Sequence, residues 1–275
     1  MSTDPILEPL PGERVLSVSP SDPSGVATTW LRRPNLFPGR TLTAATLEAR
    51  SDWAAGRLAQ RGQAFVAGVI DGLDVGFSVQ PDAGDGVVVR LSVGPGMGLA
   101  ASGEDVVLVR SMDTTLGALP VVAPPGVFQG GAFGGGGILQ PREIGPTFGE
   151  VRDTLPGALP TAGILVLQPT TVEVRSFDPH DPCERGCGEA VDFEDVRLAD
   201  AARLLWYAWP EDWRPLPPSG PRRRNRLAYS IFQAEGQLGD DELLPWEAFG
   251  VPVGVAVLDG DGAPVFLDRY SVVRR

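Results

Sequence analysis

Gly68-Val69-Ile70-Asp71-Gly72-Leu73-Asp74-Val75, then Val87-Val88-Val89-Arg90-Leu91-Ser92-Val93, then Gly94-Pro95-Gly96-Met97-Gly98-Leu99-Ala100, and after a Ser102-Gly103 turn Glu104-Asp105-Val106-Val107-Leu108-Val109-Arg110 make up most of one stretch, Gly68–Arg110. β-Branched side chains fit the pleated surface of a strand, and glycine, proline and aspartate supply the backbone conformations of tight turns. Valine-rich runs punctuated in this way predict short strands joined by turns, hence a small β-module.

Upstream, Thr43 to about Gln63 reads as a helix. Thr43 is placed to cap it, Leu42 and Leu47 are spaced as a hydrophobic staple, and Glu48 suits its positive end. Leu47, Ala54, Leu58 and Phe65 follow helical spacing, with Arg50, Arg57 and Arg61 on the wet side, and Gly62 and Gly68 end the helix. Residues 1–38 carry seven prolines, which predicts an extended arm with one short strand at Arg14–Val18. Its apolar residues, Trp30 and Phe37 among them, suggest that the arm lies on the body or on a neighbouring subunit.

Downstream, Pro124-Pro125-Gly126 and the glycines at 130–131 and 134–137 predict a long loop or tongue over 126–160, since a glycine run is costly to order. A second β-rich body follows. Gly163–Leu167 and Thr170–Arg175 read as two strands around a proline turn, and Arg203–Trp209 as a third. Arg222–Leu238 has helical spacing through Leu227, Ile231, Ala234 and Leu238, and Asp240–Ala248 reads as a short acidic helical turn. Val253–Leu258, the turn Asp259-Gly260-Asp261-Gly262 and Val265–Asp268 read as a terminal hairpin. The expected fold is therefore mainly β with a few helices (α+β). Its parts are the arm 1–38, a helix plus small β-module 39–125, the Gly/Pro-rich loop 126–160, and a second module 161–275 with a helix at 222–238.

With 275 residues, 43% of them hydrophobic and 21% charged, the composition is that of a globular chain. The net charge of −12 repels phosphate backbones and argues against nucleic-acid binding. All 23 basic residues are arginines, which removes Schiff-base chemistry and a phosphate-binding loop lysine together. No apolar run approaches the roughly 20 residues of a membrane span, and Met1–Pro5 lacks the basic and apolar regions of a secretory signal. Two cysteines are too few for a secreted disulfide scaffold. These features favour assembly in the cytoplasm, with release in an extracellular particle compatible with them.

Candidate chemistry is thin. His180, Cys183 and Cys187, with Asp178 or Asp181 as a fourth donor, form the one cluster of zinc-ligand types, against the plainer reading of a surface loop. His180 is the sole histidine and has no nucleophile-elbow sequence to serve. Gly94-x-Gly96-x-Gly98 is no dinucleotide fingerprint. Pro95 removes a donor the pyrophosphate would need, and strand-like sequence follows in place of a helix. Asp259-Gly-Asp261-Gly lacks the glutamate of a calcium loop. Glu194-Asp195 or Asp240-Asp241-Glu242 could serve as glycosidase carboxylates, but acidic pairs are ordinary in so acidic a chain. Trp206, Trp209, Trp213 and Trp246, with Tyr207, Tyr229 and Phe232, suit a sugar platform, but more often such residues are core or interface.

Arg222, Arg223, Arg224 and Arg226 open the predicted helix, where positive charge opposes the helix dipole. The cluster implies an acidic partner, either the 240–247 turn or a neighbouring subunit.

Several of these residues carry a family resemblance. Gly-Val-x-x-Gly-Leu-x-Val (68–75), Gly-Pro-Gly-x-Gly (94–98) and Gly-Glu-x-x-Val-Leu (103–108) resemble a small β-module of tailed-phage fibre and baseplate proteins, found also with contractile injection systems. Phe193-Glu194-Asp195-Val196-x-Leu198, Trp209-Pro210, Arg224-Asn225-Arg226-Leu227-Ala228-Tyr229-x-Ile231-Phe232-x-Ala234-Glu235 and Leu244-Pro245-Trp246-Glu247 are similar to the same group. The resemblance covers about half the chain. It implies a non-enzymatic structural subunit of a baseplate or its appendages, held in a multimeric assembly by other baseplate or tail subunits. It carries no catalytic residue, and no cofactor is implied beyond the zinc candidate. On this reading Trp30, Phe37, Trp209, Trp213, Trp246 and the four arginines are interface residues. A carbohydrate-binding or glycoside-hydrolysing domain built on the 206–246 aromatics is the alternative.

Overall fold

Each valine-rich run of the opening stretch forms a strand, and the fold is mainly β. A computed structural model of the chain describes residues 4–5, 13–18, 43–62, 64–81, 87–122, 146–154, 161–176, 195–209, 222–239, 243–260 and 262–273. In chain order the elements are β1 (Asp4–Pro5), β2 (Glu13–Val18), α1 (Ala44–Gly62), β3 (Gly68–Gly72), β4 (Val75–Pro81), β5 (Val87–Val93), β6 (Gly96–Leu99), β7 (Asp105–Leu108), β8 (Met112–Thr115) and β9 (Val121–Val122). They continue with α2 (Phe148–Thr154), β10 (Ala162–Ser176), β11 (Asp195–Ala208), α3 (Arg223–Glu235), β12 (Val251–Leu258) and β13 (Pro264–Asp268). Trp30, Phe37, His180, Cys183, Cys187, Trp213, Asp240–Glu242 and most of the arm and the 126–160 tongue lie outside the described residues.

The strands form two three-stranded sheets, β3-β6-β7 and β4-β5-β8, and a seven-stranded sheet along β1-β11-β10-β12-β13, with β2 added on β10 and β9 on β11. Where β10, β11 and β12 adjoin one another, the large sheet is buried on both faces. On one face Leu165, Leu167, Ala202, Leu204 and Trp206 join a core with Val69, Val93, Val106, Phe148 and Val151, so the two small sheets and α2 pack there. On the other, Ile164, Val166, Leu205 and Tyr207 meet Leu227 and Ile231 of α3 and Leu244, Trp246 and Phe249 of the following segment. Residue-by-residue alternation along β10 and β11 thus sends one set of side chains to each layer. The order through the molecule is small sheets, large sheet, α3.

Pro169 does not make the expected turn. β10 runs unbroken through it as one 15-residue strand. The first half of β10 pairs with β12 as far as Leu167↔Val251, and the second half pairs with β2 from Thr170↔Val18. Pro169 falls between the two ladders, where among the described residues no second strand pairs with it, so the N–H it lacks is not missed there.

The predicted helix at 43–63 is present, and Thr43 Oγ1 accepts from the Thr46 N–H at 3.3 Å. Its orientation corrects the expectation. Leu47 and Leu58 are 53% and 56% exposed, and Ala54 and Phe65 face solvent too. The half-buried side is instead Thr46, Ala49, Trp53, Gly56 and Ala59, small residues around one aromatic. Helical spacing marks a stripe but does not say which stripe docks. A Cβ on Gly62 would stand 2.1 Å from the Gly103 carbonyl oxygen, so the end of the helix sits directly on the β6–β7 turn.

Helix α2 falls within the stretch expected as a loop. A capping box starts it: Glu150 Oε2 accepts from the Thr147 N–H at 2.8 Å, and Thr147 Oγ1 accepts from the Glu150 N–H at 3.3 Å. The hydrogen bonds from Thr147 hold the Glu150 carboxyl below its ordinary value. Thr147-x-x-Glu150 is the sequence form of that box, a local start signal that overrides the loop tendency of the glycine-rich sequence before it.

Candidate functional site

Three surfaces present apolar side chains beside charge, and each follows from how its element is buried. In α3, Arg223, Leu227 and Ile231 lie one turn apart and are all buried. Half a turn away, Asn225, Tyr229 and Phe232 are exposed, flanked by exposed Arg222 and Arg226. Neither Arg222 nor Arg226 forms an ion pair among the described residues.

The four arginines have separate tasks. Arg223 points inward and donates from Nη2 to Thr161 Oγ1 at 2.5 Å, and burial lowers its pKa. Arg224 finds an acidic partner in its own chain at Asp268, the end of β13, with Nε 2.9 Å from Oδ2. In the 240–247 segment proposed as that partner, Glu247 is buried and its Oε2 accepts the Leu244 N–H at 2.8 Å.

Asp268 is also a turn device, its Oδ1 accepting from the N–H groups of Tyr270 at 2.8 Å and Ser271 at 3.3 Å. Burial pushes its pKa up, but the hydrogen bond from Arg224, the two backbone donors and the Arg224 charge outweigh this and hold it below the ordinary value. Arg224 is correspondingly raised by its bond to Asp268. Such a carboxylate stabilises the fold above the unfolded-state pKa of about 4, and the contribution is lost as the pH falls through the lower folded value. Asp268→Ala is therefore expected to lose about 2 kcal/mol at neutral pH through orphaned donors. In urea melts that gap should narrow steadily below pH of about 4; a gap unchanged at low pH would refute the linkage.

Arg222 occupies the N-cap of α3 without a side-chain cap, and no acidic residue lies in the first turn. Arg222→Asp supplies both a cap and a favourable charge, so thermal or urea unfolding should show a gain of about 1 kcal/mol. A loss would mean that the arginine itself holds the helix start.

The second surface is the outer face of β3-β6-β7. Cross-strand partners share a face, and Val69↔Gly98 and Gly98↔Val106 are buried inward pairs. The alternate pairs, Asp71↔Met97, Met97↔Val107 and Leu99↔Asp105, therefore point outward. Ile70 joins them at the bulge between Val69 and Asp71 and is 59% exposed. Asp71 and Asp105 are exposed at the rim of this apolar strip. The third surface is the outward stripe of α1, Leu47, Ala54 and Leu58, leading to exposed Phe65 and Val66.

Trp209 and Trp246, expected at an interface, are buried in the core beside α3, and Trp206 is buried on the opposite face of the large sheet. Tyr207 packs against Trp246 and Phe249 at centroid distances of 6.2 and 5.6 Å. These tryptophans offer no face to a sugar or a partner. Arg203 is buried as well; its Nε donates to Gln168 Oε1 at 2.8 Å across the β10–β11 ladder, and burial lowers its pKa to about 10.

Among the described residues no group of three His, Cys, Asp or Glu is placed to hold a metal, and no helix is long and apolar enough to cross a membrane. The zinc candidates His180, Cys183 and Cys187 lie outside those residues, as do Trp30, Phe37 and Trp213. Sequence reasoning found the arginines but missed Ile70, Asp71, Met97 and Asp105. The bulge that turns Ile70 outward has no local signature, whereas the Gly-Met-Gly-Leu alternation is a signal that could have set Met97 on the face away from the glycines.

Compared with models of protein families and with curated proteins, the chain matches none. Its function is therefore argued from these surfaces and from the resemblance of its motifs.

Proposed function

We propose that this protein is a non-enzymatic structural subunit of a phage-tail-like contractile particle, in the baseplate or an appendage of it. The observation that carries the reading is the presence of large apolar side chains on three separate charged surfaces, the α1 stripe, the β3-β6-β7 face and the outer face of α3. Apolar strips rimmed by charge are what a subunit buries against neighbours. The motifs at 68–75, 94–98 and 224–235 that resemble baseplate and fibre proteins point the same way.

In finer detail, 39–125 and 161–275 act as two β-rich modules joined by the Gly/Pro-rich 126–160 stretch. Within the arm 1–38, β1 and β2 lie on the chain's own large sheet, and Trp30 and Phe37 supply the contacts to a neighbouring subunit. The partners are other baseplate or tail subunits, the particle is assembled in the cytoplasm, and release carries it outside the cell. The protein inserts in no membrane and binds no nucleic acid. No observation favours the sugar-binding reading, since Trp206, Trp209 and Trp246 are all buried.

The test is co-sedimentation. An epitope-tagged chain expressed in its producing cell should pellet with particles that contain sheath and tube proteins, in fixed stoichiometry. A chain that stays in the supernatant while intact particles pellet overturns the reading.

A further inference from the structure

We propose that copies of this chain associate head to tail, the arginine–aromatic face of α3 in one copy seating on the acid-rimmed apolar face of β3-β6-β7 in the next. The inference stands on these two surfaces and does not need the particle reading.

Both surfaces offer apolar anchors of similar size. Phe232 and Tyr229 are 58% and 55% exposed on α3, and Ile70 and Met97 are 59% and 42% exposed on the sheet. Their rims carry opposite charge, Arg222 and Arg226 on one and Asp71 and Asp105 on the other, and all four are exposed. None of the four forms an ion pair among the described residues. Aromatic and arginine side chains are the groups that most often dominate binding energy at interfaces.

Placement makes the contact intermolecular. Helix α3 packs on one face of the seven-stranded sheet and β3-β6-β7 packs on the other, each with its buried side toward that sheet. The two outward surfaces therefore face opposite ways, and one chain cannot bring its own together. Charge then selects the arrangement. Pairing α3 with α3 sets arginine against arginine, and pairing the sheet faces sets aspartate against aspartate, so both two-fold contacts are disfavoured. The heterologous contact remains, and its repetition closes into a ring or extends into a filament.

Sedimentation velocity of the purified full chain over a wide concentration range tests this. The wild type should form oligomers whose midpoint concentration rises with salt, since rim charges are screened. R222E/R226E and D71R/D105R should each raise that midpoint at least about tenfold. Phe232→Ser should weaken association with the charges intact. Mixed in equal amounts, the two charge-reversed variants should associate again, because each then offers the other a complementary rim at both contacts. All the substituted side chains are exposed, and far-ultraviolet circular dichroism should show each variant folded. A monomeric wild type at every concentration, self-association insensitive to both reversals, or no recovery on mixing would overturn the proposal. Particle co-sedimentation is read separately. A monomeric chain that still pellets with particles refutes head-to-tail association alone, and a self-associating chain absent from particles refutes the subunit reading alone.

Discussion

Gly163→Ala is expected to cost about 3 kcal/mol of stability or more, a large effect for a single methyl group. A Cβ at this position would lie 2.2 Å from Cε2 and 2.5 Å from Cζ2 of Trp206, whose ring lies over the glycine. Trp206 pairs with Leu165 across the β10–β11 ladder, so Gly163 is its diagonal neighbour on the same face. The ring has no room to retreat, since it is fully buried and Phe148 of α2 meets it edge-on at 5.2 Å. Trp206→Ala alone should cost about 3–5 kcal/mol, for the lost burial and the cavity it leaves. The double variant should be more stable than the sum of the two losses predicts, because removing the ring makes space for the new methyl group. Urea unfolding of the four proteins measures that coupling, and strict additivity would mean that the glycine and the ring do not touch.

Gly96→Ala carries the second large effect, also about 3 kcal/mol or more. Here the obstruction is backbone. A Cβ on Gly96 would stand 2.3 Å from the Asp71 carbonyl oxygen and 2.4 Å from the Leu73 nitrogen. Gly96 faces Gly72 in the β3–β6 pair, and Gly72 and Leu73 turn there with φ of 61° and 56°. Relief would require opening that pair. The two other glycines of the motif act as internal standards. Gly98 would meet the Val251 Cγ1 atom at 2.9 Å and the Gly68 carbonyl oxygen at 3.0 Å, both looser than the contacts at Gly96, so its alanine variant should lose less. Gly94 would meet nothing closer than 3.6 Å, and its alanine variant should fall within about 1 kcal/mol of wild type. The predicted order of melting temperatures is Gly94→Ala highest, Gly98→Ala intermediate and Gly96→Ala lowest. Equal melting temperatures for the Gly94 and Gly96 variants would refute the close approach.

The same motif shows how much was legible beforehand. Gly94-Pro95-Gly96-Met97-Gly98 could be recognised as turn and strand material unfit for a dinucleotide, and it is the turn into β6 and the strand itself. That Gly96 serves a backbone crossing and Gly98 the packing of a small sheet on Val251 of β12 was not legible, because both neighbours are distant in sequence or in another sheet. The candidate surfaces divide in the same way. The arginine cluster stood out through its conflict with the helix dipole, but the acidic partner of Arg224 is Asp268, 44 residues away. Trp209 and Trp246 could be assigned to core or interface from their size, and only their burial beside α3 decided for core.

By itself the sequence determined the local conformations. Valine runs became strands, Thr43 and Thr147 started helices, and Asp259 and Gly262 closed the last hairpin, because these depend on side-chain sterics and on donors within a few residues. Tertiary structure alone decided which stripe of α1 faces water, that β10 runs through Pro169, and that α3 and β3-β6-β7 present opposite charge on opposite sides of one sheet. A periodic pattern gives each element its faces, while the choice of which face is covered belongs to the partner that packs on it.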